Sequence, residues 1–124
     1  MTVKDVLIAH EVVAENSRVR TSGLKSSQEE GLRKIGEVLQ EARKEENVYL
    51  AASVYLKSLI DKHPFNDGNK RTAITVVNRF LEQNGEVFQP HQIQNTEELY
   101  QTIKWEIPSM SKEEIAHWIE KGEI

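Results

Sequence analysis

Nine consecutive residues, from His63 to Arg71, combine side chains that could carry out chemistry on a phosphate group. The segment reads His-Pro-Phe-Asn-Asp-Gly-Asn-Lys-Arg, which supplies one imidazole, one carboxylate, two amides and two cations. His63 is the one group of this set that exchanges a proton near neutral pH, so it is the candidate general base. The types and the spacing together indicate a site for an anion and for proton transfer.

The second half of the segment, from Gly68 onward, falls where an amphipathic helix is predicted to begin. The first N–H groups of a helix lack backbone partners and the helix dipole is positive there, which favours a bound anion. Lys70 adds a point charge, and Arg71 adds a guanidinium that can bind two phosphate oxygens at once. Asp67 is the candidate metal ligand, because Mg²⁺ prefers a carboxylate together with phosphate oxygens.

A plainer interpretation treats the segment as a polar start of a helix with incidental charges. That interpretation would suffice for an isolated Asn-Lys-Arg, but it does not account for six chemically active groups in nine residues. Two further residues have structural explanations of their own. Gly68 permits close backbone approach or a positive φ angle, and Phe65 is expected to anchor the loop in the core.

The elements that must hold this segment are predicted to be helices. Apolar residues recur at three- and four-residue steps along most of the chain, which is typical of amphipathic helices. The pattern predicts helices over about 3–14, 27–46, 48–62, 68–84, 96–106 and 111–119. The segment 16–25 is predicted to be a loop, and the segment 86–94 is predicted to be extended, as a short hairpin or flap.

We therefore predict one all-α domain that spans residues 1–124, with the motif loop between two central helices. The chain has no internal repeat and no low-complexity linker. The loop is short, so the helices 48–62 and 68–84 must be neighbours and must hold it on a rigid base.

Composition and charge exclude several functional classes. The 124 residues carry a formal net charge of −4 without a long basic run, which disfavours nucleic acid as a partner. There are no cysteines, which excludes a disulfide framework, a Cys-ligated zinc site and a thiol nucleophile. The sequence shows neither a signal-peptide pattern nor an apolar stretch long enough to cross a bilayer, so we expect no membrane partner and a cytoplasmic location.

The segment 63–71 resembles the signature of the Fic/Doc family, which reads His-Pro-Phe-x-Asp/Glu-Gly-Asn-Gly-Arg in the adenylylating enzymes. Lys70 in place of the last glycine, followed by Thr72-Ala73, is similar to the Doc (death-on-curing) branch. The helix that leads into the motif, the Asn84-Gly85 ending of the next helix and the early stretch 7–10 also look Doc-like.

This resemblance implies a Fic/Doc fold and a transfer from ATP, with Mg²⁺, to a Ser or Thr hydroxyl of a target protein. It assigns His63 as the base and Asp67 as the magnesium ligand. The other motif residues would bind the nucleotide, with an anion hole formed by the last three of them; they are Phe65, Asn66, Gly68, Asn69, Lys70 and Arg71. Doc-type proteins are toxins that phosphorylate a translation elongation factor, and a small antitoxin protein neutralises them.

Two residues favour phosphate transfer over the AMP transfer of typical Fic enzymes. Lys70 fills room that a glycine would leave for the distal phosphates, and it adds a charge. The adenylylating pattern has a second arginine three residues after the first, where this chain has Ile74, which cannot bind a phosphate. An adenylyltransferase and a non-catalytic module that binds a nucleotide or a partner remain the alternatives.

Three other features have a structural and a functional interpretation. Ser26 to Gly31 is similar to the inhibitory motif of self-inhibited Fic proteins, but Ser27 and Glu30 also form a helix-capping pattern, which we favour. His10 lies on an apolar helix face and is interpreted as a core histidine. His91 and His117 show no metal-ligand spacing with His63, so no zinc site is assigned.

Overall fold

The computed structural model describes residues 1–16 and 28–123, and the regular secondary structure of these ranges is helical. The elements are α1 Val3–Asn16, α2 Gln28–Arg43, α3 Val48–Lys62, α4 Asn69–Gln83, α5 Pro90–Ile93, α6 Thr96–Trp105, a 3₁₀ turn Ile107–Ser109 and α7 Lys112–Lys121. The predicted all-α class is confirmed. None of the described helices has both the length and the apolar character needed to cross a membrane.

Helix α3 occupies the centre of the bundle. It begins at Asn47, whose side chain accepts hydrogen bonds from the N–H groups of Tyr49 and Leu50 and so satisfies two donors of the first turn. Its Ala52 and Leu56 are fully buried. The helix packs against α2, α4 and α7.

Helix α4 is the second central helix, and it packs against both α3 and α1. Its apolar stripe is completely buried at Ala73, Val76, Val77 and Leu81. The stripe faces α3 and α1, and this arrangement leaves the polar face of α4 toward solvent. The prediction of two adjacent central helices on either side of the motif loop is confirmed.

The C-terminal helices α6 and α7 begin with reciprocal capping boxes. Asn95 and Glu98 form the first box, and Ser111 and Glu114 form the second. The second of these confirms the cap predicted at Ser111. The capping pattern predicted at Ser27 lies outside the described residues.

The prediction of a hairpin or flap at residues 86–94 is wrong. Pro90–Ile93 forms a short helix, and Pro90 stands at its first position, where the missing N–H has no cost and the fixed φ suits the turn. Phe88 is buried, with its ring edge-on to Trp118 at 5.6 Å between ring centroids. The N–H of Gln89 donates to the carbonyl of Ile119 over 3.1 Å. These contacts hold the segment against α7, so it does not adopt the predicted extended conformation.

One side-chain hydrogen bond joins the start of α3 to the turn that follows α4. The hydroxyl of Tyr49 donates to the carboxylate of Glu86 over 2.6 Å. This bond raises the pKa of Tyr49 from its ordinary 10.0 to about 12, because ionisation would remove the donor and place two anions together. The bond stabilises the fold below pH 10, and this contribution is lost as the pH rises through about 12.

Replacing Tyr49 with Phe is expected to lower the free energy of unfolding by about 1–2 kcal/mol at neutral pH, since a hydrogen bond to a carboxylate is lost. Chemical denaturation measures this difference. Burial also raises the pKa of Tyr55, so absorbance titration at high pH should show two late-ionising tyrosines. One of them should disappear in Tyr49→Phe and ionise earlier in Glu86→Gln. An unchanged titration in Glu86→Gln would contradict the assigned cause.

Candidate active site

The loop that joins α3 to α4 reverses the chain with two left-handed residues. His63 ends α3 with φ 47° and ψ 62°, and Gly68 precedes α4 with φ 77° and ψ 17°. Glycine adopts this conformation freely, whereas a histidine loses about 1–2 kcal/mol in it. Strained residues of this kind cluster at functional sites, where the surrounding structure holds them in place. His63 is the one non-glycine residue with positive φ in the described ranges.

Asn69 fixes the loop from inside. Its Oδ1 accepts from the N–H of Phe65 over 3.0 Å, and its Nδ2 donates to the carbonyl of Phe65 over 2.9 Å. This pair of bonds closes the loop much as a backbone turn would. The same Nδ2 lies 3.5 Å from Nδ1 of His63, at the outer limit of a hydrogen bond. The amide that closes the loop therefore also lies beside the imidazole.

Phe65 and His10 form the base of the loop. The Phe65 side chain is 2% exposed, which confirms its predicted role as an anchor in the core. His10 from α1 is 1% exposed, so its interpretation as a core histidine is also confirmed. Its ring stacks on Phe65 with 3.8 Å between centroids, and its Nε2 lies 2.9 Å from the carbonyl oxygen of Asp67. The sequence predicted that His10 is buried, but it did not predict that His10 contacts the loop.

The loop presents its chemically active side chains to solvent. These exposed residues are His63, Asn66, Asp67, Lys70 and Arg71. Gly68 is partly buried, and its N–H donates to Oδ1 of Asp67 over 2.8 Å. The predicted site residues therefore form two groups. The inner residues, Phe65, Gly68 and Asn69, are buried or half-buried and shape the loop, and the five exposed outer residues can be reached by a ligand.

The N-terminus of α4 has the properties of an anion site. The first helical bond of the turn runs from Thr72 N–H to Gly68 carbonyl, so the N–H groups of Asn69, Lys70 and Arg71 donate to no backbone or side-chain acceptor within the described ranges. In those same ranges, no carboxylate lies in ion-pair contact with Lys70 or Arg71. Within these ranges, the start of α4 therefore offers three N–H groups and two cations to an anion.

Arg71 also has a partner that the motif did not indicate. Its guanidinium carbon lies 5.4 Å from the ring centroid of Tyr100 on α6, a cation–π contact. Both side chains line a cleft of about 390 Å³ between α1, α4 and α6, together with Ile74. Tyr100 could not be predicted as part of the site, because a tyrosine on an apolar helix face has the ordinary pattern of a core residue.

Glu30, the residue of the possible inhibitory motif, lies in the first turn of α2. Its Oε1 is 3.3 Å from Nζ of Lys34, one helical turn later. The favoured helix cap and the alternative of autoinhibition by Glu30 are both untested, since the segment 17–27 that precedes α2 lies outside the described residues.

Replacing Asn69 with Ala tests whether this amide holds the loop. The change leaves both backbone groups of Phe65 without their partner, and the loss should be about 1–3 kcal/mol of unfolding free energy. Asn84→Ala is the matched control, because Asn84 bonds the Phe80 carbonyl at the exposed end of the same helix. Its loss should be below about 0.5 kcal/mol. Urea denaturation of the two variants measures the difference, and equal losses would contradict the role of Asn69.

The comparisons with known proteins agree with this geometry. Residues 2–81 match the model of the Fic/DOC family, a range that includes α1 to α3, the whole motif loop and most of α4. No curated protein and no solved structure matches the chain significantly. Members of this family are in general transferases that attach AMP or phosphate. Since the match covers more than half of the sequence and includes the motif, the chain belongs to the Fic/DOC family.

Proposed function

We propose that this protein is a Doc-like protein kinase, which transfers the γ-phosphate of ATP to a Ser or Thr hydroxyl of a target protein. The observation that carries the proposal is the start of α4, where three N–H groups have no acceptor, and Lys70 and Arg71 no ion-pair partner, among the described residues. A phosphate group fits such a concentration of positive charge, and the Doc resemblance assigns that phosphate to ATP.

In this proposal His63 is the general base. Its imidazole is exposed beside the anion site, so a hydroxyl from another protein can reach it. The hydroxyl oxygen forms a bond to the γ-phosphorus, the bond from that phosphorus to the bridging oxygen of ADP breaks, and the hydroxyl proton passes to a ring nitrogen of His63. Arg71 and the N–H groups of α4 bind the phosphate oxygens as charge moves onto the leaving ADP.

Asp67 is the proposed Mg²⁺ ligand, because its carboxylate is of the type that this ion prefers beside phosphate oxygens. Asp67 is exposed two residues before the start of α4, and the N–H of Gly68 donates to its Oδ1 over 2.8 Å. In residues 1–16 and 28–123 no three His, Asp or Glu side chains cluster as a metal site. The ion would therefore be held by Asp67 together with phosphate oxygens, as is usual for Mg²⁺. When bound, Mg²⁺ would neutralise negative charge on the phosphates.

The choice of phosphate over AMP rests on Lys70 and Ile74. Lys70 is exposed in the first turn of α4, where its charge can reach a phosphate. Ile74 is 5% exposed and lines the cleft beside Arg71, at the position where adenylylating enzymes of the family have a second arginine. A buried apolar side chain offers no contact to a further phosphate. An adenylyltransferase is the alternative on the same fold.

The wider role follows from the Doc resemblance and forms part of the proposal. The target would be a translation elongation factor, and a small antitoxin protein would neutralise the enzyme. A non-catalytic module that binds a nucleotide or a partner is the competing function of another class. Such a module has no use for a general base, whereas this loop holds a strained histidine beside the anion site.

Transfer experiments with ATP labelled at the α- or γ-phosphate distinguish these functions. The kinase adds a phosphate to the target, the adenylyltransferase adds AMP, and a module adds neither, which the mass of the target reveals. Replacing His63 with Ala should lower transfer about 100- to 10,000-fold while nucleotide binding is retained. His117→Ala, on the exposed face of α7, is the matched control and should keep full activity. Transfer that survives His63→Ala would contradict the mechanism.

Lys70→Gly tests the basis for phosphate transfer. We expect phosphoryl transfer to fall by roughly tenfold or more, because a charge that stabilises the transferred group is removed. Lys70→Ala separates the loss of charge from the effect of a glycine on the first turn of α4, and it should show the same fall. If both variants retain the wild-type rate, Lys70 does not determine the group that is transferred.

A further inference from the structure

His10 lies 57 residues from Asp67 in the sequence, yet it contacts the motif loop at two points. Its ring covers Phe65, with the two ring planes within 3° of parallel. Its Nε2 lies 2.9 Å from the carbonyl oxygen of Asp67. A carbonyl oxygen can only accept, so Nε2 carries the proton and donates it to this bond.

The bond acts on the peptide unit at the centre of the loop. The carbonyl of Asp67 and the N–H of Gly68 belong to one planar group, so a donor that fixes the carbonyl also fixes the direction of that N–H. The N–H of Gly68 in turn donates to Oδ1 of Asp67 over 2.8 Å. His10, the peptide unit and the Asp67 carboxylate are therefore connected through two successive hydrogen bonds.

An apolar side chain at position 10 would pack on Phe65 but would supply no donor. The packing of α1 on α4 explains why the position is buried, but it does not explain an imidazole there. Buried polar groups are costly unless they are hydrogen-bonded, so the nitrogen is best explained by the bond that it makes.

We propose that His10 is a positioning residue for the active site, which orients Asp67 for Mg²⁺ by holding the carbonyl of the same residue. The inference rests on the proposed role of Asp67 in the function above. Residues that hydrogen-bond to a metal ligand and so orient it commonly have a large effect on metal affinity, although they do not touch the metal. His10 does not touch the substrate, and it acts through the shape of the loop.

A pair of substitutions of equal size separates the donor from the packing. His10→Gln keeps an N–H donor at about the same reach, and His10→Met has the same length without a donor. Both lose the ring on Phe65. Val6→Ala, one turn earlier on the same buried face of α1, controls for a general loss of stability.

The first measurement is binding of Mn²⁺, in place of Mg²⁺, with a non-hydrolysable ATP analogue. We expect the dissociation constant to rise roughly 10- to 100-fold in His10→Met and to change only a few-fold in His10→Gln and Val6→Ala. Equal affinities in the Gln and Met variants would overturn the proposal. An equal weakening in Val6→Ala would also overturn it, since stability alone would then explain the effect.

The second measurement does not depend on the proposed function. Amide hydrogen exchange reports directly on the loop, because the N–H of Phe65 and the N–H of Gly68 both donate to side chains within it. Their exchange should be faster in His10→Met than in His10→Gln at matched global stability. If the wild-type protein binds no metal–nucleotide complex, the proposed function fails while exchange still tests His10. Identical exchange in the two variants would overturn the positioning role.

Discussion

The short connection between α3 and α4 is the constraint on which the rest of the site depends. Two left-handed residues reverse the chain, and one amide side chain closes the turn by bonding both backbone groups of Phe65. The connection forces the two central helices together and directs the start of α4 toward solvent. As a result the polar outer residues of the motif are exposed, although the helices on either side of them are the central ones of the bundle.

Much of the fold could be predicted because its helices have regular apolar faces and recognisable ends. Pro64 after α3, Gly68 before α4 and the cap at Ser111 each mark a boundary that the structure confirms. The segment 86–94 could not be predicted in the same way. Its conformation is decided by the contacts of Phe88 with α7, and a proline at the start of a short helix has the same local pattern as a proline in an extended strand.

The candidate site likewise contains residues that could be predicted from the sequence and residues that could not. The exposed motif residues could be found from their types alone, because phosphate chemistry needs cations, a helix start and a base. His10 and Tyr100 could not be assigned to the site, because each lies on a helix face where a buried aromatic ring is ordinary. Their contacts with Asp67 and Arg71 arise only from the packing of α1 and α6 around α4.

The separation of 57 residues between His10 and Asp67 has a consequence for the order of folding. The hairpin of α3 and α4 has mostly local contacts, and local contacts form quickly. Bringing α1 onto the loop closes a long segment of chain, which costs conformational entropy. We therefore expect this contact to form late, together with the rest of the bundle. A partly folded chain can therefore contain the whole motif loop before His10 reaches it. The contact between His10 and the loop is therefore a property of the completed tertiary structure and not of the motif alone.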